Sequence, residues 1–133
     1  TAGLLLLTNN GELANRIMHP SSEVPKTYVA VVHGQVKMGL GKVLRRGVEL
    51  EDGKVKVDNF KLIEVRKGSS IVQLTLHSGK NRVVRRLLSE VGHPVSALTR
   101  TGIANLTLDG LKEGQFRLLH GNELATLQEM VGL

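Results

Sequence analysis

The sequence predicts an α+β domain, a mixed but mostly antiparallel sheet with flanking helices. Three observations carry that expectation. Apolar residues recur at helical spacing in some segments and alternate in others. The alternating segments are joined mostly by short turns, as in hairpins. No repeat, low-complexity tract or linker divides the chain, and 133 residues suffice for one domain with its own core.

The elements follow in order. Residues 4–7, a run of leucines, read as a strand buried on both faces. Thr8-Asn9-Asn10-Gly11 is a turn, and Asn9 with Glu12 fits a capping box opening a helix. That helix turns Leu13, Ala14, Ile17 and Met18 inward and stops before Pro20. A second strand covers residues 26–33. Val29 and Val31 point one way, Tyr28, Ala30 and Val32 the other, so a central place in the sheet is expected.

Residues 37–46 form a weak helix, diluted by Gly39 and Gly41 and closed by Gly47. Glu51-Asp52-Gly53 is a turn. Residues 54–66 and 71–77 then make a hairpin across Lys67-Gly68-Ser69-Ser70, with a bulge expected where alternation slips at Asp58-Asn59. Residues 95–99 and 104–108 read as further strands. Asn122 opens a final helix bearing Leu124, Leu127 and Val131.

The segment between the hairpin and the strands that begin at residue 95 is the richest in chemistry. Val83, Val84, Leu87, Leu88 and Val91 recur at helical spacing and face a core. Arg82, Arg85, Arg86 and Ser89 fall at i, i+3, i+4 and i+7 on the opposite stripe. Asn81 can cap this helix and Gly92 can end it. Four of the six net positive charges fall between Gly79 and Arg100, where Lys80, Arg82, Arg85, Arg86 and Arg100 meet only Glu90. Charge held in register on a rigid element suits a phosphate, or a carboxylate that must stay ionised. A solvated basic face explains the same pattern equally well.

Composition narrows the classes. A net charge of +6 and a pI near 10 favour a polyanionic partner, nucleic acid before an acidic membrane surface. There is no cysteine, so disulfides and thiolate metal sites are excluded. The five histidines are scattered without metal-ligand spacing, and no nucleotide-phosphate loop or serine-hydrolase elbow appears. The leucine run is too short to span a bilayer and lacks the basic leader of a signal peptide, which leaves a cytoplasmic address. Its abrupt place at the first residues is what a piece of a longer protein would show.

Aromatics number three: Tyr28, Phe60 and Phe116. That is too few for a base-stacking sheet of the RRM type or an OB fold. Phe60 and Phe116 are expected in the core. Tyr28 follows Pro25-Lys26-Thr27, where a strand begins and side chains can sit at a rim; a half-buried tyrosine with a satisfied hydroxyl and a functional ring both fit there.

Three separated segments carry a resemblance. Thr1-Ala2-Gly3-Leu4-Leu5-Leu6-Leu7-Thr8 with Asn10-Gly11-Glu12-Leu13 is similar to the tail of the RLDxxTxGLLLLTxDGELA motif of RsuA/RluB-type ribosomal RNA pseudouridine synthases. His19-Pro20-Ser21 and Lys26-Thr27-Tyr28 resemble the HPS and KTY signatures of that family. Gly79-Lys80-Asn81-Arg82-Val83-Val84-Arg85-Arg86 resembles its GxNRQVRRM motif, with Val83 where glutamine is usual. Val95, Leu98, Arg100 and Gly102 fit the pattern beyond, and the wording around Gly11 is closer to the large-subunit branch.

The resemblance implies a fold and a chemistry. The fold is pseudouridine-synthase-like, one partial catalytic domain over residues 1–133, incomplete at its N-terminal side. The chemistry isomerises a chosen uridine in ribosomal RNA: the uracil leaves its ribose, turns, and rejoins through carbon, with no cofactor or metal. Tyr28 matches the active-site tyrosine that stacks on the flipped uracil. By position in the motif, Arg85 is the partner of a nucleophilic aspartate; Arg82 and Arg86 lie on the same stripe. Lys80, Asn81, Arg82 and Arg86 would then serve RNA phosphates.

The motif puts the aspartate three residues before Thr1, outside this sequence. Asp52, Asp58 and Asp109 lie in no similar context. The usual S4 RNA-binding domain is likewise outside it. The implied partner is ribosomal RNA, with no membrane and no small-molecule cofactor, and the implied state is a monomer. The isolated chain is expected to be inactive. The alternative is a non-catalytic RNA-binding module that keeps the same scaffold.

Overall fold

Alternation builds a sheet, and one basic helix closes its buried face. The computed structural model describes residues 1–19, 22–78, 80 and 82–133. Strand β1 (Ala2–Gly3) leads to helix α1 (Gly11–Met18) and strand β2 (Lys26–His33). Helix α2 (Leu40–Arg46) precedes two short strands, β3 (Val48–Leu50) and β4 (Gly53–Val55). Strands β5 (Asn59–Arg66) and β6 (Ser69–Leu76) form the predicted hairpin. Helix α3 (Val83–Glu90), strands β7 (Val95–Ile103) and β8 (Leu106–Thr107), and helix α4 (Gly121–Met130) complete the chain.

The main sheet has the order β1-β7-β2-β6-β5, with β8 on β7. Its β1–β7 pair is parallel and its other pairs antiparallel. The expected α+β architecture is therefore present. β2 keeps its predicted bounds and lies between β6 and β7, as its two apolar faces require. β3 and β4 form a separate hairpin.

The face of β2 that bears Ala30 and Val32 joins Val72 and Leu74 of β6 under the apolar stripe of α3, where Val83, Val84, Leu87 and Leu88 are all buried. A second cluster gathers Leu13 of α1, Ile103, Leu106, and Leu127 of α4. Arg16 ties these helices, donating from Nη1 to the Val131 and Gly132 carbonyls at 3.1 and 2.9 Å. Among the described residues no helix is long and apolar enough to cross a membrane.

Several expectations need correction. Residues 4–7 are not a doubly buried strand: pairing ends at Gly3, Leu4 alone is buried, and Leu5 and Leu7 are 70% and 87% exposed. Hydrophobicity without alternation or a partner strand does not fix a strand. The cap of α1 is Asn10 rather than Asn9; its Oδ1 accepts from Leu13 N–H at 3.1 Å, and Glu12 pairs with Arg16 instead. Met18 is exposed.

The stretch 54–66 is two strands, because the chain leaves the β3–β4 hairpin at Val55 and enters the main sheet at Asn59; the register shift lies between Leu62 and Glu64. Residues 95–103 form one continuous strand, and only Leu106 and Thr107 pair in the segment expected at 104–108. Phe60 packs on the core, whereas Phe116 is 87% exposed on the irregular stretch between β8 and α4. Helix α3 starts at Val83, with Arg82 at the cap position in a left-handed conformation (φ 51°, ψ 32°) and no side-chain cap bond. Pro20, Ser21, Gly79 and Asn81, including the expected cap role of Asn81, lie outside the described residues. The helix ends as expected before Gly92, whose N–H reaches the Ser89 carbonyl while His93 N–H reaches that of Leu88.

Candidate RNA-binding and active site

Side chains on one face of a strand repeat every two residues, so Lys26, Tyr28, Ala30 and Val32 share a face of β2. Helix α3 covers the Ala30 and Val32 end. Its first turn opens above Lys26 and Tyr28, and a cleft of about 610 Å³ forms there. On β7, Arg100 pairs directly with Tyr28, which places both side chains at the same edge of the sheet.

The cleft is lined by Tyr28, Lys26, Lys80, Arg82, Arg85 and Arg100, with Thr1, Ser78, Val83, Val84 and Leu98. Five of these side chains are cationic and none is a carboxylate. Lys26 is held below the usual lysine range, first by burial and then by the charge of Arg100. The Arg100 guanidinium is partly used: Nε and Nη2 donate to the Leu4 carbonyl at 3.1 and 2.7 Å, and Leu4 N–H donates back to the Arg100 carbonyl at 2.9 Å. Arg85 is half-buried, and its side chain makes no hydrogen bond or ion pair among the described residues. A cationic cleft without an acid favours an incoming phosphate, or holds an incoming carboxylate in its charged form.

Tyr28, Arg85, Lys80 and Arg82 are therefore brought together. Arg86 is not at this cleft. Consecutive residues of a helix point about 100° apart, and Arg86 reaches away to the β3–β4 turn. There Nη1 and Nη2 donate to the two Asp52 carboxylate oxygens at 2.7 and 3.1 Å. This pairing holds the Asp52 carboxyl below its usual range and raises Arg86. Lys80 Nζ also donates to the Asp52 backbone carbonyl. Asp52, Asp58 and Asp109 are all absent from the cleft lining, and Asp58 instead faces His77 Nδ1 at 2.8 Å.

Two lining cations were missed as site residues. Lys26 was legible, because it stands two positions before Tyr28 on the same strand. Arg100 was not, since its place depends on a β2–β7 register that includes two shifts.

The sequence profile of the RNA pseudouridylate synthase family matches residues 1–90. An uncharacterized RNA pseudouridine synthase of Mycobacterium tuberculosis (strain ATCC 25618 / H37Rv) is 53% identical over 133 residues, which are all of this chain and 52% of that protein. Ribosomal large subunit pseudouridine synthase B of Bacillus subtilis (strain 168) is 46% identical over 132 residues, 98% of this chain and 54% of its own length. The chain thus spans about half the length of the curated relatives it matches. A crystal structure of a pseudouridylate synthase superposes with a TM-score of 0.78 at 30% identity, covering 94% of this chain and 54% of the other. The motifs, the fold and these matches agree: the chain belongs to the RNA pseudouridylate synthase family, in its RsuA/RluB-type branch.

Proposed function

We propose that this chain supplies the uridine-binding side of the active site of a ribosomal RNA pseudouridine synthase acting on the large subunit. One observation carries the reading: Tyr28 and Arg85 line the same cleft, amid cations and without a carboxylate of its own. The similarity to large-subunit pseudouridine synthase B supports the substrate class.

In this reading the target uridine leaves its stack, at about a few kcal/mol that a looped or mismatched nucleotide reduces. Its uracil lies against the ring of Tyr28. Arg85 pairs with a nucleophilic aspartate three residues upstream of Thr1 in the whole protein, keeping it ionised and aimed. Thr1 lines the cleft, and three extended residues span at most about 10 Å, so such a carboxylate is within reach. Lys80 and Arg82 take phosphates, with Asn81 beside them in sequence. The reaction rearranges one nucleotide and needs no cofactor.

The test compares the whole protein with the 133-residue chain on RNA carrying tritium at uridine C5, the carbon that loses its hydrogen on joining ribose. Release by the whole protein and none by the isolated chain is expected. Release by the isolated chain would overturn the assignment of the nucleophile.

A further inference from the structure

A second cleft of about 730 Å³ opens beside the first, and the two share Ser78 and Lys80. It runs along the backbone of residues 54–58, whose Val55 and Val57 are turned into the core, and Arg45, Lys54, Lys56 and Lys80 line it. Arg45, Lys54 and Lys56 have no ion pair among the described residues. Two acids also line it: Glu23, and Asp58, which is engaged by His77. Cations therefore outnumber carboxylates here.

The platform is built rather than loose. Val55 and Val57 are each 2% exposed, and Val57 N–H donates to the Leu44 carbonyl of α2 at 3.0 Å. At its other end the hairpin is held at Asp52 by Arg86 and Lys80. Lys54 and Lys56, two residues apart, both run their stems over Gly47. An added Cβ there would stand 2.5 Å from Lys54 Cε and 3.2 Å from Lys56 Cγ, so a residue without a side chain (φ +112°) leaves room for both stems. Aliphatic lysine stems and ammonium heads suit a nucleotide, with sugar or base against the stems and phosphate on the charged ends.

We propose that this second cleft binds the RNA strand flanking the modified uridine, with backbone phosphates on Lys54, Lys56 and Arg45 and Lys80 as the ridge between the two clefts. The inference rests on the proposed uridine site, because continuity with that site is what selects RNA over another polyanion.

The test uses the whole protein and measures RNA affinity over a salt series. Each phosphate contact on single-stranded RNA contributes about 0.7 to the slope of log affinity against log salt. The K54Q/K56Q pair should lower that slope by about 1.4, and Arg45→Gln by about 0.7. The exposed pair K61Q/K67Q, on β5 and the following turn, serves as the control and should leave the slope in place. An unchanged slope in K54Q/K56Q and Arg45→Gln, with unaltered melting temperature, overturns the second cleft even if turnover is normal. Loss of slope in a protein that makes no pseudouridine supports the cleft and sinks only the catalytic reading.

Discussion

Arg86 spans both carboxylate oxygens of Asp52, with Nη1–Oδ1 at 2.7 Å and Nη2–Oδ2 at 3.1 Å. This bidentate contact fastens α3 to the β3–β4 turn and leaves the neighbouring Arg85 directed at the cleft. Two adjacent arginines thus divide into one that binds the protein and one that lines the cleft.

The division predicts how substitutions couple. If Arg86 acts as a latch, Asp52→Ala and Arg86→Ala each lower turnover in the whole protein, and the double variant is no worse than either single. If Arg86 instead serves phosphate, Asp52→Ala removes a competing carboxylate and RNA affinity rises. Affinity and turnover measured across the four proteins separate the two roles.

Arg85 and Arg82 should differ in kind. On the proposed reading, Arg85→Ala removes the partner of the nucleophile and should lower turnover by about a hundredfold or more, with much RNA affinity kept. Arg82→Ala mainly weakens binding and lowers the salt slope by about 0.7. Equal effects of both on turnover and on binding would mean the helix has been divided wrongly.

Arg82 also carries backbone strain, at φ 51° with an exposed side chain. Alanine ordinarily outperforms glycine near a helix. At this position the order should reverse, with Arg82→Gly more stable than Arg82→Ala by about 1 kcal/mol in urea unfolding. Alanine equal to or better than glycine would show that the left-handed conformation is not retained.

Glu123 gives a pH signature far from the cleft. Arg117, donating at 2.7 and 2.8 Å, and the His120 N–H hold its carboxyl at about 2 against an ordinary 4.5. A depressed folded-state value stabilises the fold above the unfolded value, and this is lost as pH falls through the folded one. The melting temperature of the chain should therefore drop between pH 4.5 and about 2 more steeply than that of Glu123→Gln. Parallel curves would contradict the ion pair.

Much of this was legible from residue order because period and punctuation agreed. β2 alternates, has apolar residues on both faces, and was located to the residue. The apolar stripe of α3 buried as its spacing required. The largest failures share a physical source, the absence of tertiary information in local pattern. Nothing local separates Leu4, which enters a core, from Leu5 and Leu7, which do not. Nor does spacing reveal that Arg86 meets Asp52, 34 residues away, or that Arg100 of β7 pairs with Tyr28 of β2. Partners set by register and hairpin docking become visible only in three dimensions.

The most direct measurement of the central claim is a crystal structure of the whole protein bound to an RNA strand containing its target uridine. An extruded uracil against the Tyr28 ring, with Arg85 paired to a carboxylate from just upstream of Thr1, is the predicted result. A uracil or a nucleophile seated outside this cleft would contradict it.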